Sequence, residues 1–210
     1  MFTLHWQPPY DWPWMLAFLR ARAVEGIETF DEDVYTRSVL LDGHRGLMTL
    51  TPEMETHTLR VHLTEGLLPV TDPCLQRIER LLDLRCDPQL IAAALGDLAS
   101  ARPGLRLPGS IDAFEQGVRA ILSVAMAAKL TGKVVAACGE PLADAPGYYT
   151  FPTPEALAAT DPLFLKSLGM PLKRALALIH LAQATLDGRF PLHAPEDVEQ
   201  GVKRLQTFPG

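Results

Sequence analysis

The chain has 210 residues, 48% of them hydrophobic and 21% charged, the composition of an ordinary globular protein of one or two domains. Nineteen basic against 25 acidic side chains leave a net charge of −6, which excludes a chain that grips polyanions by bulk charge alone. The imbalance is uneven. Residues 1–110 carry 10 Lys/Arg and 15 Asp/Glu, residues 111–210 carry 9 and 10, so a nucleic acid is expected to meet the second half. Cys74, Cys86 and Cys138 are odd in number, widely spaced and without a CxxC pair, which suits a reducing compartment and gives neither a disulfide framework nor a zinc site. His57 and His62 fall in a strand-like stretch, where a spacing of five sends side chains to opposite faces and argues against a metal pair. The start, Phe2-Thr3-Leu4-His5-Trp6, lacks the basic and apolar runs of a signal peptide, and the longest apolar stretch, near Ala120–Ala128, is too short to cross a bilayer. A cytoplasmic location with no membrane contact is expected.

In chain order, Phe2–Trp6 reads as a short strand, and Asp11 as the cap of a helix whose apolar stripe is Met15, Phe18, Leu19 and Ala23. Val34–Leu41, Leu47–Thr51 and Thr58–Leu63 read as strands, the first two joined at the hairpin signal Asp42-Gly43. From Thr71 onward the pattern is helical, with proline at successive starts. These are Asp72-Pro73, Asp87-Pro88, Thr153-Pro154, Asp161-Pro162, Met170-Pro171 and Ala194-Pro195, with Ser110 or Asp112 opening another helix. The change of pattern predicts an α/β domain over 1–70 and a helical domain over 71–210. No internal repeat is present.

The last residues, Leu205-Gln206-Thr207-Phe208-Pro209-Gly210, follow an amphipathic helical stretch and read as the opening of a Gly-containing hairpin, with a second helix expected after Gly210. Such a hairpin offers helix N-terminal amides to a DNA phosphate.

Several strings resemble bacterial 3-methyladenine DNA glycosylases of the AlkA type. They are Trp6-Gln7-Pro8-Pro9-Tyr10-Asp11-Trp12 through Phe18-Leu19-Arg20-Ala21-Arg22-Ala23, Ala101–Gly109, Asp112–Leu122, Leu168-Gly169-Met170-Pro171-Leu172-Lys173-Arg174-Ala175 and Leu205–Gly210. The likeness runs in order along the whole chain. It implies an α+β fold, with an N-terminal antiparallel sheet and helix like the TATA-binding-protein fold, followed by an incomplete all-α domain of the helix-hairpin-helix glycosylase superfamily. It also implies base excision from double-stranded DNA carrying alkylated bases, by a monomer that uses no cofactor. A flipped nucleotide costs a few kcal/mol of stacking and pairing, and a carboxylate beside the sugar stabilises the cationic transition state.

Residue by residue, the resemblance puts Phe18 at the base pocket, with Trp14 one turn before it. Read without it, the pair is core at helical spacing. Lys173 and Arg174 lie at a helix start, as contacts to the DNA backbone or as a solvated basic face. Gly210 is the hairpin's phosphate contact. The backbone carbonyls of Gln206, Phe208 and Gly210 match positions that face a monovalent cation bridging to phosphate.

The family's catalytic aspartate lies roughly two dozen residues past the hairpin, so no residue here inherits its role. Asp197 and Glu199, early in a helix, read as structural. Between Leu122 and Ser123 the family carries four more residues, Gly-Gln, an apolar wedge and Val. Their loss turns the downstream helix face by only about 40°, so Asp112–Leu122 and Val124–Cys138 are expected to run into one helix or meet at a kink. This chain alone is expected to be inactive. The alternative reading is a non-catalytic module that binds DNA or a protein.

Overall fold

The computed structural model describes residues 1–122, 127–192 and 197–208. Five antiparallel strands, β1 (Phe2–His5), β2 (Glu28–Asp31), β3 (Val34–Leu41), β4 (His44–Glu53) and β5 (Thr58–Leu63), form one sheet in the order β1-β5-β4-β3-β2. The predicted ranges of β3 and β5 are observed, and β4 extends beyond its prediction at both ends. Asp42 and Gly43 both take positive φ, 50° and 79°, the pair of values a two-residue hairpin of the primed type requires.

Strand β2 lies outside the stretches whose pattern predicts a strand. Its sequence, Glu-Thr-Phe-Asp, is acidic at both ends and only four residues long. It holds the sheet edge because Glu28 turns inward, accepting a hydrogen bond from the Tyr35 hydroxyl at 2.7 Å with the Arg37 guanidinium 3.9 Å away.

Helix α1 (Trp12–Ala21) begins at Asp11, whose carboxylate accepts the Trp14 amide at 3.1 Å, and it buries Trp12, Met15, Leu16 and Leu19. These join Tyr35, Met48, Leu50, Leu59 and Val61 of the sheet in one apolar core. After β5 a 3-10 turn (Glu65–Val70) runs directly into α2 (Thr71–Leu81), so Asp72 lies inside the first turn and caps nothing. Next come α3 (Pro88–Leu95), capped by Asp87, and the short α4 (Asp97–Ser100).

The expected boundary near residue 70 proves to be a change of secondary structure rather than of compact unit. Helix α2 sends Cys74, Ile78 and Leu81 into the same core as the sheet. The Gly109 amide donates to the Leu81 carbonyl at 2.9 Å, and the Arg77 guanidinium donates to that of Ile111 at 3.2 Å, which ties the segment after α4 to α2. The first unit therefore comprises Met1–Ala23 and Glu28–Ile111, the second Val24–Ile27 and Asp112–Gly210.

The second unit is helical: α5 (Ala113–Ile121), α6 (Ala127–Cys138), α7 (Pro154–Ala158), α8 (Pro162–Ser167), α9 (Leu172–Leu186) and α10 (Val198–Leu205). Asp112, Thr153, Asp161 and Asp197 each accept an amide of the turn they open. Helix α9 packs on α5, α7 and α8, burying Ala175, Leu178, Leu181 and Ala182 with Val118, Leu122, Leu157 and Leu165. Helix α9 starts at Leu172, with Pro171 in the capping position. The only β pairing among the described residues of this unit is one isolated bridge, Pro141 with Tyr149. Helix α5 ends at Ile121, with Leu122 in the C-capping position. The junction at Ser123–Met126 and the helix start expected at Ala194-Pro195 lie outside the described residues.

Candidate functional site

In the first unit the site residues are set by α1. The carboxylate of Asp11 fixes where the helix starts, and Gly104 fixes Asp11: its carbonyl accepts the Asp11 amide at 2.8 Å. Gly104 has φ +81°, and a Cβ there would stand 2.7 Å from the Pro9 carbonyl carbon and the Tyr10 amide nitrogen, so only glycine fits. Two residues on, Arg106 is 2% exposed, and its guanidinium donates to the carbonyls of Cys86 at 2.6 Å, Asp83 and Pro9 at 3.3 Å, and Gln7. One side chain thus joins the segment entering α1 to the turn leaving α2. Sequence reasoning missed Arg106, because its partners are backbone carbonyls that leave no residue pattern.

The Tyr10 ring lies 5.0 Å beneath that guanidinium, and its hydroxyl donates to the Leu82 carbonyl at 2.6 Å. Burial pushes the Tyr10 phenol well above its ordinary range, against the opposing pull of Arg106. The three cysteines are thiols without disulfides, and burial raises the pKa of each.

Trp14 and Phe18 are partly buried, packed at the margin of the core, with their rings stacked at 5.6 Å and 29°. The pair touches the core, and part of each residue stays outside it. Arg22, one further turn along, sets its guanidinium 3.7 Å from the Phe18 centroid. Residues 14, 18 and 22 therefore form an aromatic–aromatic–cation column at a spacing of four. Such a contact contributes about 0.5–1 kcal/mol at an exposed site. Arg22 was absent from the predicted site, although the i, i+4 step from Phe18 pointed to it.

In the second unit, Lys173 and Arg174 stand in the first turn of α9, Lys173 exposed and Arg174 half-buried. That turn has no acidic residue and no capping side chain. Two cations at the positive end of a 15-residue helix oppose its dipole, so the place is electrostatically suited to an anion. Lys133, which sequence reasoning did not select, donates to the Leu168 carbonyl at 2.9 Å in the turn before α9.

At the far end of the chain, α10 closes with the amides of Gln206, Thr207 and Phe208 donating to Val202, Arg204 and Leu205. The Phe208 ring is pinned edge-on against Phe190 at 5.7 Å and His180 at 6.2 Å. His180 lies seven residues along α9 from Lys173, roughly 10 Å of helix axis, so the hairpin residues and the basic pair are not brought together. Pro209 and Gly210, with the phosphate contact and the third carbonyl assigned to Gly210, lie outside the described residues.

Four acidic side chains of this unit are in structural use. Asp112, Asp161 and Asp197 cap helices, and Glu115 pairs with Arg119 at 2.6 Å. His57 sits in the turn before β5 with φ 53° and His62 on β5. No cluster able to hold a metal ion occurs among the described residues. No described helix is long and apolar enough to cross a membrane.

The AlkA N-terminal domain family matches residues 1–112, ending where the first compact unit ends. Over its full length the chain is 59% identical, across 214 residues, to DNA-3-methyladenine glycosylase 2 of Escherichia coli K12, and spans 76% of that protein. It is 32% identical over 216 residues to the probable bifunctional transcriptional activator/DNA repair enzyme AlkA of Mycobacterium tuberculosis, which matches 96% of this chain and 42% of its own length. The 3-methyladenine DNA glycosylase from Archaeoglobus fulgidus shares the fold, with a TM-score of 0.71 at 21% identity, over 87% of this chain and 66% of that one. This chain belongs to the AlkA family of DNA-3-methyladenine glycosylases, enzymes of base-excision repair.

Proposed function

We propose that the chain serves hydrolysis of the N-glycosidic bond of alkylated purines, such as 3-methyladenine, flipped out of double-stranded DNA. Trp14 and Phe18 form part of the base pocket, and Lys173 and Arg174 meet the phosphate backbone. The carbonyls of Gln206 and Phe208 face a monovalent cation that neutralises phosphate charge, with Gly210 completing that hairpin. The protein acts as a monomer in the cytoplasm.

The observation that carries this reading is the guanidinium of Arg22 at 3.7 Å over Phe18. That face attracts a cation, and an N-alkylated purine taking the place of the Arg22 guanidinium is a planar cation where an undamaged base is neutral. Cation–π attraction of about 0.5–2 kcal/mol then favours damaged over normal bases by roughly 2- to 30-fold. The uncapped, basic start of α9 supports an anionic partner in the same way.

The carboxylates of Asp112, Asp161 and Asp197 are engaged in capping, and that of Glu115 in an ion pair. None of them stands ready to stabilise an oxocarbenium ion, so the chain by itself is proposed to be inactive. The test compares release of 3-methyladenine from methylated duplex DNA by this chain and by the same chain joined to the part of the E. coli relative outside the matched region. Release by the joined protein alone is the expected result, and equal release by both overturns the assignment. In the joined protein, Phe18→Leu is expected to slow excision of cationic bases several-fold more than that of neutral ones. Lys173→Gln with Arg174→Gln is expected to weaken DNA binding and reduce its salt slope by about one per cation removed.

A further inference from the structure

The partner that suits an arginine one turn along a helix is a carboxylate, but four residues before Arg22 stands Phe18. The Arg22 guanidinium lies on that ring, 3.7 Å from its centroid. At this distance it covers the face it meets. Trp14 stacks on Phe18 from one turn earlier, at 5.6 Å and 29°. Arg22 is exposed, while Trp14 is tied into the margin of the core, so the guanidinium is the more movable neighbour. Arg20 at the same helix end is placed differently. It donates to the Glu32 carbonyl at 2.7 Å, with its guanidinium 5.2 Å from the Phe30 centroid.

A base that stacks on the covered face of Phe18 has to displace the guanidinium. A contact worth a factor of about two to five leaves that face open roughly one-third to one-sixth of the time, and the affinity of any base falls accordingly. This cost is common to charged and neutral bases. What separates them is where the guanidinium goes. Left beside the ring, it repels a cationic base. A flipped nucleotide carries its own phosphates, however, and a planar guanidinium matches a phosphate with two parallel hydrogen bonds. The exchange then sets the cationic base on the ring and the guanidinium on an anion, which parts the two positive charges and gives each a partner.

We propose that Arg22 is the exchangeable occupant of the Phe18 face: an alkylated base displaces its guanidinium from the ring, and the guanidinium passes to a phosphate of the same flipped nucleotide. This rests on Phe18 lining the base pocket, and adds a residue that couples capture of the base to grip on the backbone.

Two ligands separate the halves of the exchange, because a free base has no phosphate to offer. The first is the 3,9-dimethyladeninium cation, titrated into this chain and followed by NMR. The Arg22 Nε–H signal, displaced by the ring current of Phe18, is expected to move toward its ring-free position as the cation saturates. Arg22→Gln is expected to bind the free cation roughly three- to sixfold more tightly. Arg20→Gln, which removes the same charge away from Phe18, should change that affinity by less than about twofold. The second ligand is methylated duplex DNA, bound by the chain joined to the unmatched part of the E. coli relative. There the sign reverses: Arg22→Gln is expected to bind more weakly, with a salt slope smaller by about one.

The proposal is overturned if Arg22→Gln binds the free cation no more tightly than the unaltered chain. Saturation that leaves the Arg22 signal in place overturns it too, as does a duplex salt slope that Arg22→Gln leaves unchanged. Phe18→Leu distinguishes these failures from failure of the base pocket itself. If Phe18→Leu weakens cation binding while Arg22→Gln has no effect, the pocket stands and the exchange falls. If cation binding is indifferent to Phe18→Leu, or is absent even in Arg22→Gln, both fall.

Discussion

Helices α1 and α3 belong to the same compact unit, start with the same device and meet opposite fates. Each opens on an aspartate cap with a proline in its first turn, Asp11 with Pro13 and Asp87 with Pro88. Each is short, at 10 and 8 residues. Helix α1 drives Trp12, Met15, Leu16 and Leu19 into the core, whereas α3 leaves Leu90 and Leu95 in water. A cap decides where a helix begins. Whether the helix contributes to the stability of the whole depends on what its apolar face finds, and α1 finds the sheet.

The largest expected effect comes from breaking the clamp that seats α1. Arg106 supplies four backbone carbonyls with donors inside the protein. Arg106→Ala leaves those part-buried acceptors without their donors, at about 1–3 kcal/mol each where no water enters. A loss of at least ~4 kcal/mol in urea unfolding is expected, enough to unfold a marginal domain. Arg106→Lys should recover only a minor part, because an ammonium cannot reach two loops with a planar fork. A loss below about 1 kcal/mol for Arg106→Ala would show that α1 is seated by its apolar face alone.

Next in size is the direct comparison of the two faces. Met15→Ala empties a fully buried position and should cost about 2–5 kcal/mol, whereas Leu98→Ala beside α3 should change stability by less than about 0.5 kcal/mol. Chemical denaturation of the two variants at one protein concentration measures both. Comparable losses would mean that the α3–α4 face already has a partner in solution.

The difference between these helices also marks what the sequence made legible. Caps are local chemistry, so Asp11, Asp87, Asp112, Thr153 and Asp161 could be read from residue type and spacing, as could the Asp42-Gly43 hairpin. Strand β2 could not. Its acidic residues argue against a strand, and it holds only because Tyr35 and Arg37 across the ladder satisfy Glu28. The extent of the first compact unit is hidden for a related reason: the change to helical pattern near residue 70 is visible in the sequence, while the packing of Cys74, Ile78 and Leu81 onto a sheet formed earlier in the chain is not. At the candidate site, the Trp14–Phe18 pair is visible as spacing, and the role proposed for it comes from resemblance. The cation of Arg22 resting on it, and the carbonyls gathered by Arg106, became visible only in three dimensions.

A pH series gives a third, smaller effect, confined to the α1 side. Tyr10 is held protonated by its burial, and Cys74 and Cys86 are likewise raised above the ordinary thiol value of 9.0. A raised folded-state pKa means that the unfolded chain releases its proton first. The stability these groups contribute is therefore fully present below about pH 9 and lost as pH climbs past the thiol and then the phenol range. Tyr10→Phe should cost about 1 kcal/mol at neutral pH through the lost bond to the Leu82 carbonyl. It should also flatten the fall above pH 10. An unchanged alkaline slope in Tyr10→Phe would remove Tyr10 as its source.

The smallest effect is the sharpest test of the comparison, because hydrogen-bond geometry and burial predict opposite orders. Asp87 accepts two amides, at 2.8 Å from Gln89 and 3.4 Å from Leu90, while Asp11 accepts one, at 3.1 Å from Trp14. If the caps alone decided stability, Asp87→Ala would be the costlier change. Burial argues the reverse. Unfolding α3 locally exposes no core, so its cap is linked only to local opening, whereas losing the start of α1 disturbs four buried side chains. Asp11→Ala is expected to cost about 1 kcal/mol of global stability, and Asp87→Ala almost nothing in urea unfolding while speeding amide exchange within α3 several-fold. Equal global costs for the two would mean that α3 folds with the core as one cooperative unit, and the contrast between the two helices would then lie in exposure alone.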